Sequence, residues 1–294
     1  MGRHDAWRKT MASNPVFNRI DKQIKAGGYA GFDRQSAAPQ MSGGAGVQDN
    51  LTPEQLQDRY NQPSAGPVQT GRLTLDDVVM KTLGLFAIVV AVGAVTWLFV
   101  AVPENKGLRL PLLLGGMLGS LALGLVIAFK KTISVPLIVL YAALEGVFVG
   151  TISMVFEESF PGVVTTAVLA TTATFAGMFL AWKFGIIKVT DKSRRIFGMA
   201  IMGYLLFGIA NVVASFMGVG DGWGFGGGGL LGIGISVLGV GLASYSLAID
   251  FDSVDRAVAA QLPEKYSWLM AHGLIVSLVW LYLEMLRLFA RMRD

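Results

Sequence analysis

The sequence predicts an all-α, polytopic membrane protein, with seven hydrophobic spans behind a long basic N-terminal tail. Of its 294 residues, 53% are hydrophobic and only 15% are charged, against about a quarter charged in soluble domains. The mean hydropathy of +0.56 is more than a water-exposed surface tolerates over such a length. The apolar residues also gather into runs of about 20, the length a helix needs to cross about 30 Å of hydrocarbon.

Residues 1–72 form a separate regime. They are rich in Gly, Ser, Pro, Gln and Asn and hold no plausible core, so this basic tail is expected to be disordered. Two pieces within it have local character. Thr52-Pro53-Glu54-Gln55 has a cap, a Pro at the first helical position and a Gln at the capping-box position, which predicts a short helix to about Tyr60. Asn14-Pro15-Val16-Phe17-Asn18-Arg19-Ile20 mixes apolar and basic residues as a docking segment would.

The membrane domain occupies 73–294. Thr74-Leu75-Asp76-Asp77 reads as a helix start, with a cap and acids at the positive end of the helix dipole. The predicted runs are 82–102, 108–129, 133–156, 162–184, 195–217, 229–250 and 269–289. Short connections make neighbouring spans antiparallel hairpins. Only the last connection, 251–268, is long enough to hold polar structure of its own.

The pI near 9.3 raises the question of nucleic acid, but the basic residues sit in the tail and between the apolar runs, where they report topology. Of the 24 Lys and Arg residues, 19 fall on the side of the tail and 5 on the other. The expected orientation is a cytoplasmic N-terminus in a bacterial plasma membrane. Arg287, Arg291 and Arg293 run against that bias, which leaves a seventh span or a re-entrant segment for the last run, with the span favoured.

Several chemistries are excluded. With no cysteine there is no thiolate site, disulfide or cysteine nucleophile, and two histidines, His4 and His272, cannot build a multi-histidine metal centre. No secretory signal is visible, since the first apolar run lies far from the N-terminus. Gly218-Val219-Gly220-Asp221 matches a short pattern of intramembrane aspartyl proteases, but it leads into a glycine-rich loop rather than lying in a span. That loop also lacks the Lys and Ser or Thr of a phosphate-binding loop. No enzymatic activity and no cofactor are expected.

Ionisable groups inside spans are expensive and are functional candidates by default. Glu145 lies mid-run in Leu144-Glu145-Gly146. Asp250 and Asp252 end the sixth run and point about 200° apart on a helix, so one faces inward and the other faces headgroups or solvent. Glu284 lies in the last run, with Arg287 three residues on as a local partner. His272 reads as an interfacial histidine and Asn211 as an interhelical hydrogen-bonding group. Gly228, Gly232 and Ser236, with Gly115 and Gly119, have the four-residue spacing of close helix packing.

The order of these elements resembles the Bax inhibitor-1 (YccA-like) family. Leu144-Glu145-Gly146, the Phe251-Asp252 ending and Leu281-Tyr282-Leu283-Glu284 carry the resemblance. Asn14-Pro15-Val16-Phe17-Asn18-Arg19 and Leu75-Asp76-Asp77-Val78-Val79 look like its actinobacterial branch. The resemblance implies a seven-helix bundle with the last helix surrounded by the others. It also implies a pH-sensitive calcium leak, or regulation by binding other membrane proteins, including a membrane protease. The gating element it implies is a carboxylate pair, here Asp252 and Glu284, with Glu284 standing where an Asp is common and Asp250 as an extra acid. Two carboxylates held close share a proton, and when ionised they form a hard oxygen site of the kind calcium prefers, with calcium as the transported ion. A simple hairpin between the last two spans would set Glu284 well above Asp252, so the pairing requires a 251–268 connection that is irregular or lies along the membrane surface.

Overall fold

The computed structural model describes residues 71–219, 224–226 and 229–293. The predicted helix at Thr52–Tyr60, the Asn14–Ile20 segment and Asp221 lie outside them. Seven long helices follow one another: α1 Leu75–Ala101, α2 Arg109–Phe129, α3 Val135–Ser159, α4 Val163–Lys183, α5 Asp191–Phe216, α6 Leu230–Ala259 and α7 Tyr266–Arg291. Each is long and apolar enough to cross a membrane. The last run is therefore one continuous 26-residue helix rather than a re-entrant segment.

Helix starts follow local chemistry. Thr74 caps α1 and closes a capping box with Asp77, as the sequence indicates. Thr190 and Ser193 do the same for α5. Pro136 sits in the first turn of α3, where its missing N–H costs nothing.

α7 is the axis of the bundle, packed on by α1, α3, α4 and α6, while α2 leans on α3 and α5 on α6. Its span is 78% buried, against 6% for α5. Backbones approach most closely at glycines. Gly150 of α3 abuts the Gly93 backbone of α1, and a Cβ at Gly146 would lie 2.8 Å from the Val89 carbonyl. In α2 the expected Gly119 packs close to the Leu144 side chain, Gly116 lies against the Phe148 backbone, and Gly115 faces open space.

The connection between the last two helices departs from expectation. α6 continues nine residues past the predicted run end, to Ala259, leaving a tight turn at 260–265 with Gln261 at φ 51°. The helix persists because Ser253-Val254 and Ala257 remain buried against the bundle, so apolar packing carries it past the polar positions. This turn also grips the start of the described chain. The Leu73 amide donates to the Leu262 carbonyl at 2.8 Å and the Glu264 amide to the Gly71 carbonyl at 3.0 Å. Lys81 bonds Glu264 at 3.0 Å and Ser267 at 2.6 Å. The predicted tail boundary at residue 72 thus falls inside an ordered strap. The end of the bundle carrying this strap is called the tail end below, and the opposite one the far end.

The three C-terminal arginines lie at the far end, each with protein partners. Arg287 bonds Glu284. Arg291 donates to the Gly232 carbonyl at 2.5 Å and to Ser236 at 3.1 Å. Arg293 bonds the carbonyls of Pro161 and Gly162. Held by partners of their own at the far end, these charges do not stand against a full seventh span.

Candidate functional site

Asp252 and Glu284 are not brought together. Because α6 and α7 form a simple hairpin, Glu284 lies beside Gly239, where a Cβ on the glycine would stand 2.5 Å from Glu284 Oε2. Gly239 is thirteen residues up α6 from Asp252, about 20 Å along the axis. No shared proton and no two-carboxylate calcium site can form between them. The irregular connection that the pairing required is absent, and the separation follows directly.

Of the two neighbouring aspartates, Asp250 is the inward one, 1% exposed. Its carboxylate accepts a hydrogen bond from Ser277 of α7. Asp252, on the opposite side of α6, bonds Arg194 of α5 at 2.5 Å and Arg256 one turn on at 2.8 Å. The expectation that one aspartate faces inward holds; assigning the gating role to the other does not follow from the geometry. Arg194 was missed, although its place four residues after a capping threonine puts it on the first turn of a span beside a neighbouring helix end.

Glu284 is 3% exposed. It accepts from Tyr204 Oη at 2.9 Å, from its own helix's Trp280 Nε1 at 3.2 Å, and from Arg287 at 3.3 Å. The expected local partner Arg287 is present, but Tyr204 reaches it across from α5. Ser277 and Glu284 are seven residues apart and so share one face of α7. Asp250 and Gly239, eleven residues apart, share the facing side of α6. The α6–α7 seam therefore carries one buried acid near its middle and another toward its far end.

Glu145 of α3 is also buried, against the hydroxyls of Ser120 and Tyr141. His272, expected at the interface, is instead 1% exposed. Its ring stands edge-on to Tyr141 of α3 at 4.3 Å, inside the bundle. Neither His272 nitrogen has a hydrogen-bond partner. Asn211 of α5 abuts Gly224 in the far-end loop, where φ is +74°, a conformation that favours glycine. Among the described residues no cluster of three or more His, Asp or Glu is arranged to hold a metal ion.

Three buried acids thus stand within the bundle: Glu284 on the central helix itself, Asp250 of α6 against its middle through Ser277, and Glu145 of α3 beside Ser120 of α2. Comparison with curated proteins gives no match. The family described as Bax inhibitor 1 like, however, matches residues 14–294, nearly the whole chain including much of the tail. Seven apolar helices with a polar-studded last helix as their axis are the architecture expected from that resemblance, and the chain belongs to the Bax inhibitor 1 like family.

Proposed function

We propose that this membrane protein is a proton-gated cation leak, with calcium as its ion and Asp250 as its gating acid. It lies in the plasma membrane with the tail end cytoplasmic, as the basic-residue bias favours, and it catalyses no reaction. The observation that carries the reading is Asp250 itself: a carboxyl 1% exposed, inside a span, with a serine hydroxyl from the central helix as its hydrogen-bond donor. Protonated, it is satisfied by Ser277 and the seam stays closed. Ionised, it feels the Arg194 charge of α5 but requires further hydrogen-bonding partners that its apolar neighbours do not supply. Water and a hard cation are the partners that fit carboxylate oxygens. The sign follows: flux is low where Asp250 is neutral and rises as the pH increases through its titration. Glu284, on the same seam, is the second acid of the path.

The test is calcium flux into proteoliposomes holding the full-length protein, measured across pH. Wild type should show flux rising with pH, and Asp250→Asn should hold it at the low level throughout. A wild type that conducts at no pH would replace this reading with the second one, a non-conducting protein that regulates other membrane proteins.

A further inference from the structure

We propose that α5 is a movable gate helix over the α6–α7 seam, with Arg194 and Tyr204 as the positioning residues that latch it shut. This rests on the leak reading for what the gate controls, but the gate itself is argued from packing.

α5 is long enough to span the membrane, yet only 6% of its span is buried. Leu205, Leu206 and Ile209 are all more than half exposed, and Gly203 and Gly208 have open space where a Cβ would be. Between helices in lipid there is no hydrophobic drive, so attachment rests on close packing and polar contacts. Close packing is slight here, and the contacts lie on one stripe at residues 194, 197, 204 and 211. Arg194 bonds Asp252 and Ser253. Phe197 lies 5.5 Å from the Tyr245 ring. Tyr204 bonds Glu284 and stacks near Trp280. Asn211 meets Gly224. Spacings of three and seven residues keep all four on one helical face. That face covers the seam from the level of the aspartates to the level of Glu284.

The partners of the latches are built so that α5 can leave. Asp252 faces Arg194 from α5 and Arg256 from its own helix. Glu284 faces Tyr204 from α5, Trp280 and Arg287 from its own helix, and Gly239 of α6. When α5 moves away, Asp252 keeps its ion pair with Arg256 and Glu284 keeps Trp280 and Arg287. Release thus avoids stranding either latch partner, the usual large penalty for breaking such a contact. The buried Asp250 loses the Arg194 charge and keeps Ser277. Arg194, at the tail end, can turn its guanidinium to the headgroups. A helix held over an acid-lined seam by polar latches whose partners keep contacts of their own has the construction of a gate.

The test uses the full-length chain, whose lack of cysteine permits clean labelling. Spin labels at Met202→Cys on α5 and Leu83→Cys on α1, both exposed positions, report the α5 distance by pulsed electron resonance in phosphatidylcholine–phosphatidylglycerol nanodiscs. The double variant Arg194→Gln/Tyr204→Phe should add a second, displaced distance population, and Arg194→Lys paired with native Tyr204 should restore the single one. Calcium flux in the double variant should rise several-fold. An unchanged distance distribution in a folded double variant overturns the gate, whatever the flux does. A displaced α5 without calcium flux keeps the gate and overturns the leak reading instead.

Discussion

α5 and α7 are alike in sequence and opposite in structure. Each is a 26-residue helix, apolar enough to span, yet α7 is the buried axis and α5 is a peripheral strut. In water, hydrophobicity would distinguish an inner helix from an outer one. In lipid it cannot, because hydrocarbon welcomes an apolar face as readily as a protein core does. What separates the two is their polar content. α7 places Ser267, His272, Ser277 and Glu284 in its buried set, and such groups require a protein interior. α5 exposes an apolar surface and keeps its polar groups on one stripe.

That contrast is easiest to break through stability. Leu281 of α7 is fully buried, while Leu205 of α5 is 56% exposed. Leu281→Ala should cost about 2–5 kcal/mol, and Leu205→Ala should stay within about 0.5 kcal/mol, measured by unfolding in lipid nanodiscs. Equal costs would mean that α5 is packed against something beyond this chain.

The two aspartates sharpen the comparison, since Asp250 faces α7 and Asp252 faces α5. The charged-to-neutral ratio of one titrating acid changes tenfold per pH unit. Flux that follows Asp250 should therefore lose its pH response in Asp250→Asn, whereas Asp252→Asn should keep the response and raise flux at every pH by weakening the α5 latch. The reverse pattern would return the gating role to Asp252.

A smaller effect is expected from the Tyr204–Glu284 contact. A double-mutant cycle with Tyr204→Phe and Glu284→Gln should give a coupling of about 0.6 kcal/mol and no more than about 1.7 kcal/mol, the range for interhelical hydrogen bonds in membranes. A larger value would make the contact structural rather than a replaceable latch. The mildest change is Lys188→Cys in the exposed α4–α5 loop. It should leave folding untouched and react only with reagents admitted to the cytoplasmic side; labelling from outside intact cells would invert the proposed orientation.

Much of the site is legible along the chain, and its failures share one origin. Glu145, Asp250 and Glu284 stand out because a carboxyl within an apolar run must be buried or hydrated, whatever the fold. Their partners do not stand out. Ser277 resembles any serine in a span, and Arg194 resembles any basic residue at a helix start, until the helices are laid side by side. The Asp252–Glu284 pairing failed because it depended on where α6 ends. Burial of Ser253, Val254 and Ala257 against the bundle carries the helix to Ala259. That extension shortens the turn and raises Glu284 to the level of Gly239.

The sequence by itself determined the seven spans, the Thr74 helix start and the presence of costly acids inside the membrane, because each follows from chain-local physics: run length, capping and the price of charge in hydrocarbon. Only the tertiary structure decided which helix is central, which aspartate faces it and which helix covers the seam. Those outcomes depend on the rotation and axial offset of one helix against another. Side-chain packing and interhelical hydrogen bonds set them, and neither is written in hydrophobicity when the solvent is itself apolar.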